Sequence, residues 1–483
     1  MNKFDVTIQC EEMENFFKDV IMENEARHEE ILLAENKLPL YNYQEEGVKF
    51  MLDRLRKINA DEMGLGKTLQ SIAETLRRDP QANRHVLIVS PKTAKLNWKK
   101  EIQKWVGEEV TVLDSKLGIL ELGYMLAHPE TRFTIMNYEM FRKLGKMAAK
   151  TFWANVVFDE AHKLRNHKSQ SYKGVKEFLE SNPLMPATFL TGTPLVNTPY
   201  DLYSLLHLID PYRFTNRERW VQSWFWIYGG KEFRVKNSAL FKDFISQYMI
   251  RRLRKEVIEL PKIQSITTPI ELEDDQLRLY ERIKNDWITE MGDKEEVLIA
   301  NMLAWISRLK QAALAPDLTV GIESCEGAKT EELLNILEES DGQTIIVSSF
   351  AKFLRPLKKL LIEKGYRVGS VIGGDSEDNR SEDVDKFQAG ELDVILLSSR
   401  TGGEAITLTA GNQIIWTDKP WTAAEEDQVF GRIYRIGQDK KVIRRYLKAV
   451  NTIEDYIEEV IDRKRQLFGA TMPVHQIRKM LGL

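Results

Sequence analysis

The chain has 483 residues, 43% hydrophobic and 29% charged, with a formal net charge of −4. That length gives two to four domains with ample core, and the balance excludes both a disordered chain and a uniformly basic DNA-coating protein. Cys10 and Cys325 are the only cysteines, too few for a disulfide framework or a zinc site, and any contact with nucleic acid has to come from a local basic groove.

Residues 1–37 carry ten acids against four bases. Phe16, Phe17, Val20 and Ile21, then Ile31, Leu32 and Leu33, have the spacing of apolar faces on short helices. The segment reads as an acidic helical cover, either a solvated face or a mask over a basic groove. Acids interrupt its start, which excludes a signal peptide, and no apolar run approaches the roughly 20 residues of a membrane helix. A cytosolic protein is expected.

From Leu38 the pattern changes. A helix over 44–57 runs towards a polar strand, Lys57-Ile58-Asn59-Ala60, and then Asp61-Glu62-Met63-Gly64-Leu65-Gly66-Lys67-Thr68. A helix over 69–77 follows. Gly64 and Gly66 permit the tight, partly left-handed backbone that aims several N–H groups at one anion, and the helix N-terminus adds partial positive charge. Lys67 suits the β- and γ-phosphates of a nucleotide, and the Thr68 hydroxyl suits Mg²⁺. The general pattern has glycine where Asp61 stands. By itself the stretch is either a phosphate loop or a Gly-rich turn before a helix.

Short apolar strands then alternate with helices: 86–90, 133–136, 156–158 and 188–190, the last two ending in Asp159-Glu160 and Thr191-Gly192-Thr193-Pro194. This predicts a parallel sheet covered on both faces, with ligands at the carboxyl ends of the strands. There Asp159 suits Mg²⁺ and Glu160 suits proton acceptance from an attacking water; without the preceding phosphate loop, a helix N-cap pair would be the usual account of such acids. His162 is not expected to ligate a metal. Trp98 and Trp105 share one helix face, as core residues do.

Residues 209–260, rich in Trp, Tyr, Phe and Arg, read mostly helical, as do 265–340, and no strand-splitting wedge is recognisable in them. A second alternating region has strands over 344–347, 367–372, 393–397, 413–416 and 442–447. Arg432 and Arg435 are three apart and share a helix face, as arginine fingers facing a nucleotide or as a surface pair. The expected organisation is an acidic segment (1–37), an α/β lobe (38–260) with an insertion at 209–248, a helical bridge (261–342), a second α/β lobe (343–465) and a tail (466–483).

In this order the motifs resemble those of the Swi/Snf-type ATPases of helicase superfamily two, over roughly residues 38 to 465. Tyr43-Gln44 resembles the adenine-reading motif. Asp61 to Thr68 matches the family's own phosphate loop, aspartate included. Ser90-Pro91-Lys92, continuing to Asn97-Trp98-Lys99-Lys100-Glu101, resembles a motif of DNA backbone contacts. Asp159 to His162 and the basic Lys163-Leu164-Arg165-Asn166 are similar to the acidic box and its tail. Leu190 to Asn197 resembles the motif coupling ATP and DNA sites, and Ile250 to Lys262 the join between lobes. Ser398-Ser399-Arg400-Thr401-Gly402-Gly403 and Gln428 to Gln438 resemble the last two motifs. After Gly403 the family usually has an apolar residue, glycine and asparagine; here Glu404, Ala405 and Thr407 stand there.

The resemblance implies two RecA-like parallel-sheet lobes with ATP and Mg²⁺ between them. Gln44, Met63, Gly64, Leu65, Gly66, Lys67, Thr68 and Gly403 would surround the nucleotide, and Thr68 and Asp159 would hold the metal. Glu160 would activate water, and Arg432 and Arg435 would complete the site on closure. Lys92, Lys95, Asn97, Arg400, Thr401 and Trp421 would contact double-stranded DNA, along which the protein would move. The rivals are a strand-separating or annealing helicase, a remodeller that displaces DNA-bound proteins, and an ATP-gated DNA-binding module without catalysis.

Overall fold

The computed structural model describes residues 38–455 and 471–473, apart from 80, 83, 115, 195–197, 229–231, 258–260, 273, 292–295, 341, 400–405, 421–422 and 436. In the first lobe the strands are β1 (Arg56–Asn59), β2 (His85–Ser90), β3 (Val110–Val112), β4 (Phe133–Asn137), β5 (Trp153–Phe158) and β6 (Ala187–Leu190), then a hairpin of β7 (Phe225–Tyr228) and β8 (Glu232–Val235), and β9 (Met249–Ile250). Seven of them form one parallel sheet in the order β3-β4-β2-β5-β6-β1-β9. Its central strands β4, β5 and β6 are buried at every position, as strands covered by helices on both faces must be. Trp98 and Ile102 fill one face. On the other, Phe158 meets Phe141 edge-on and stacks on Phe189.

The second lobe contains β10 (Ile263–Ile270), β12 (Thr344–Ser348), β13 (Val368–Val371), β14 (Val394–Ser398), β15 (Gln413–Trp416) and β16 (Val442–Ala449), with β11 (Glu296–Leu298) lying between β10 and β12 in sequence. Its parallel sheet runs β10-β16-β15-β12-β14-β13. β11 pairs instead, antiparallel, with β17 (Thr471–Pro473). Two parallel-sheet α/β lobes are therefore present. No helix among the described residues is long and apolar enough to cross a membrane.

Three elements differ from the sequence expectation. The first helix spans Asn42–Leu52, not 44–57, because the chain turns at Asp53 to enter β1. That strand is polar because its polar side chains have partners: Lys57 lies over the Phe50 ring at 3.9 Å, and Asn59 Nδ2 donates to Gln70 Oε1 at 3.0 Å. Second, the insertion expected to be mostly helical contains the β7–β8 hairpin and β9 as well as helices. Third, the bridge expected to be helical begins with β10, which pairs with β16 from Ile263↔Val442 to Ile270↔Ala449. Two buried ion pairs pin the rest of the bridge to the second sheet: Lys310–Asp418 at 3.1 Å and Lys329–Glu454 at 2.7 Å.

Candidate nucleotide site between the lobes

The stretch Asp61–Thr68 joins the end of β1 to the helix Lys67–Arg78. Gly64 and Gly66 have φ of 87° and 73°, the left-handed region that side chains resist. Each also lies against a neighbour: a Cβ on Gly66 would stand 2.4 Å from Gln44 Nε2, and one on Gly64 2.9 Å from Arg435 Cβ. Gln44 is buried, and its Nε2 donates to the Leu65 carbonyl at 3.1 Å. Met63 and Leu65 are buried as well. Lys67 Nζ turns back into the loop, donating to the carbonyls of Asp61 (2.7 Å) and Glu62 (3.2 Å). Burial lowers its pKa to about 8 against the pull of Glu160, Asp61 and Asp159. Thr68 is half-buried in the first turn of the helix.

Asp159 and Glu160 follow β5 directly. The Asp159 carboxylate accepts from Trp98 Nε1 at 2.9 Å and from the Glu160 amide at 2.9 Å, while Tyr138 Oη donates to its carbonyl at 2.7 Å. Burial, helped by the Glu160 charge, raises the Asp159 pKa to about 6. Burial pushes Glu160 the same way, but His162, Arg432 and Lys67 outweigh it and hold the carboxyl down at about 2. Glu160 has φ of 50°, an uncommon conformation for a residue with a side chain. Its Oε2 lies 3.0 Å from His162 Nδ1 but off the hydrogen-bond line.

The second lobe is closed on this loop. The helix Ala423–Ile433 sets Gly431 against Met63, where a Cβ would stand 3.0 Å from Met63 Cβ. Arg432 is close enough that Glu160 and Asp159 raise its pKa, though burial lowers it overall. Arg435 lies against Gly64, and its Nη1 donates to Thr407 Oγ1 at 3.0 Å. The structure thus brings Gln44, Met63–Thr68, Asp159, Glu160, Arg432 and Arg435 to one place. Gly403 lies outside the described residues.

Sequence reasoning missed the arginines that tie the loop to the lobe junction. Arg251 Nη1 donates to the carbonyls of Ala60 and Gly192, each at 3.0 Å. Arg252 grips Asp61, Nε to Oδ1 at 3.0 Å and Nη2 to Oδ2 at 2.6 Å. Asp61 stands where a general phosphate loop has glycine, and here it is fully buried on Arg252 and Gln70. Arg254 Nε donates to Glu62 Oε1 at 2.7 Å, and its Nη1 to the Tyr434 carbonyl of the second lobe at 2.7 Å. One arginine therefore spans the phosphate loop and the residue before Arg435. The available signal was the pair of acids in the loop and the later run of Arg251, Arg252 and Arg254. The role of Trp98 was missed too: it is a core residue, as its spacing says, but its indole N–H also holds Asp159.

The expected DNA contacts do not all stand together. Lys92 is exposed and Asn97 half-buried. Lys95 is a correction: it is buried, and Nζ donates to the Leu113 carbonyl at 3.0 Å, capping the end of β3 instead of facing solvent. Lys100 crosses to the second lobe, donating to Ser381 Oγ at 2.6 Å and Asp385 Oδ2 at 2.8 Å. Arg400, Thr401 and Trp421 lie outside the described residues.

Residues 43–318 match the SNF2-related domain and residues 328–437 the helicase conserved C-terminal domain. An uncharacterized ATP-dependent helicase of Mycoplasma pneumoniae is 29% identical over 446 residues, covering 90% of this chain and 42% of that protein. A mouse SWI/SNF-related matrix-associated actin-dependent regulator of chromatin, subfamily A member 1, is 28% identical over 464 residues, covering 89% and 43%. The chain thus spans about two fifths of the length of these relatives. Among solved structures, the Sulfolobus solfataricus SWI2/SNF2 ATPase core in complex with dsDNA aligns with a TM-score of 0.42 and 24% identity, covering 90% of this chain and 92% of that one. With the first of the two domain models alone covering more than half of the sequence, the chain belongs to the SNF2-related family.

Proposed function

We propose that the protein is a DNA-dependent ATPase that hydrolyses ATP between its two lobes and uses the cycle to move along double-stranded DNA. One observation carries the reading: the helix Ala423–Ile433 of the second lobe brings Arg432 near the acid pair, and the bend just after it, not the helix face shared in the sequence expectation, sets Arg435 against the phosphate loop of the first. A site divided in this way is complete only when the lobes close, so hydrolysis and interlobe motion are coupled.

In this mechanism the loop amides and Lys67 bind the phosphates, the ammonium exchanging the Asp61 and Glu62 carbonyls for phosphate oxygens. Gln44 holds the loop through the Leu65 carbonyl and would read the adenine. Glu160, held ionised, takes the proton of the attacking water. Arg432 and Arg435 balance charge on the transferred phosphoryl group. The donor set fits a divalent cation, since Asp159 keeps a lone pair on each oxygen after its two hydrogen bonds and Thr68 opens the adjacent helix. Mg²⁺ held there would neutralise phosphate charge.

DNA binding would use exposed bases such as Lys92, with Asn97, Arg400, Thr401 and Trp421, and a cytosolic site of action suits the whole. The division at 1–37, 38–260, 261–342, 343–465 and 466–483 belongs to the same reading, with β10 assigned to the second sheet. ATPase rates without nucleic acid and with single strands, blunt duplex and forked duplex test it. Strong stimulation by duplex is expected. A rate indifferent to DNA defeats the proposal.

A further inference from the structure

The β7–β8 hairpin has two unlike faces. Strand alternation puts Phe225, Ile227, Phe233 and Val235 on one. Phe225 is buried against Trp220 and Phe241, and Phe233 meets Tyr200 edge-on at 5.8 Å. The other face carries Trp226 and Tyr228, 54% and 50% exposed, opposite Arg234 and Glu232. Cations lie over both rings: Lys236 Nζ is 4.6 Å from the Trp226 centroid and the Arg234 guanidinium 5.4 Å from that of Tyr228. Interleaved rings and cations are the surface that stacks bases and follows phosphates. Rings two residues apart on a strand stand about 6.8 Å apart, roughly twice the spacing of stacked bases.

The foot of the hairpin is basic. Residues 211–224, which lead into β7, hold three Arg against one acid, in a chain whose net charge is −4. Arg217 Nη1 lies 2.9 Å from the His167 ring. Burial and the charges of Arg217, Lys168 and Lys173 lower the His167 pKa, so these cations share one neighbourhood. Lys163, Lys168 and Lys173 are exposed. Glu218, the acid amid them, is engaged by Tyr200 Oη at 2.6 Å and Arg217 Nη2 at 2.9 Å.

We propose that the outer face of this hairpin is a nucleic-acid contact, with Trp226 and Tyr228 stacking on an unpaired base and Arg234 and Lys236 meeting the flanking phosphates. The inference rests on the DNA-dependent reading above and narrows its substrate class to duplex DNA carrying unpaired bases at a junction. A duplex with a short unpaired arm, labelled with 2-aminopurine at the junction, tests it on the full chain against the same duplex without the arm. The armed probe should bind roughly tenfold tighter, with its fluorescence quenched by stacking. In the Trp226→Ala, Tyr228→Ala double variant the affinity ratio of the two probes should fall to about one and the quenching should vanish. Trp226→Phe, Tyr228→Phe should restore both. Equal affinities in the wild type, or quenching unchanged in the alanine variant, overturn the proposal and leave the hairpin to a protein partner. A chain that binds neither probe defeats the DNA-dependent reading itself.

Discussion

Trp98→Phe keeps a ring in the core and removes one N–H, the donor to Asp159. A hydrogen bond to a charged group contributes about 1.5–3 kcal/mol, so the thermal midpoint should fall by several degrees at most, while turnover should fall roughly tenfold or more even well below that midpoint. Steady-state kinetics with an unfolding curve separate the two, and an unchanged kcat would show that Asp159 needs no holder. Glu160→Gln should bind ATP and lose roughly a hundredfold or more in turnover, the scale of a missing general base. Arg435→Ala should likewise bind ATP and lose on the order of a thousandfold in DNA-stimulated turnover. Nucleotide titration beside a phosphate-release assay reads both variants, and full turnover in either removes that residue from its role. These residues are legible in the sequence because each sits in a short local pattern. Their holders are not: Trp98 lies 61 residues from Asp159, and Arg252 lies 191 from Asp61. Only the fold makes them neighbours.

The strand and hairpin missed from the sequence have physical reasons. β10 is an edge strand with most positions exposed or half-exposed, so it lacks the apolar run that marks the central strands. The aromatic residues of β7 continue those of the preceding helix, and the sign of a turn was Gly229-Gly230 between two aromatic runs. The junction segment was legible as basic but not as a clasp. Because Arg254 joins Glu62 to the Tyr434 carbonyl, Glu62→Ala and Arg254→Ala should each slow DNA-stimulated hydrolysis, and the double variant should be no slower than the worse single. Such non-additivity marks one unit; additive losses would mean that the two act separately. At the bridge, the Lys310 ammonium and the donors of Ser348 and Ser349 outweigh burial and hold Asp418 below its usual range. Its contribution to stability is therefore present above about pH 4, the unfolded value, and lost as pH falls through the folded one. In Lys310→Met only the Ser348 and Ser349 donors still oppose burial, so the Asp418 pKa rises above its wild-type position. Urea midpoints should show the wild type's advantage over this variant widening from pH 4 to pH 7. A gap independent of pH contradicts that account.

At the scale of the whole molecule, two parallel-sheet lobes meet with the phosphate loop, the acid pair and the junction arginines of one against Gly431 to Arg435 of the other. Fold class and lobe order were legible because strand runs, loop and acids recur in sequence; the closed state was not, because no local pattern encodes how two lobes dock. If closure drives stepping, a net-acidic chain must grip phosphates through local basic surface, and binding should fall steeply with added salt through counterion release. On the proposed reading, ATP hydrolysis between these lobes moves the protein along duplex DNA without separating its strands. Displacement of a triplex-forming strand, run beside a forked duplex under the same ATP conditions, reads this directly. The third strand should be released while the fork stays paired; a fork that opens while the triplex stays bound would overturn the translocase reading.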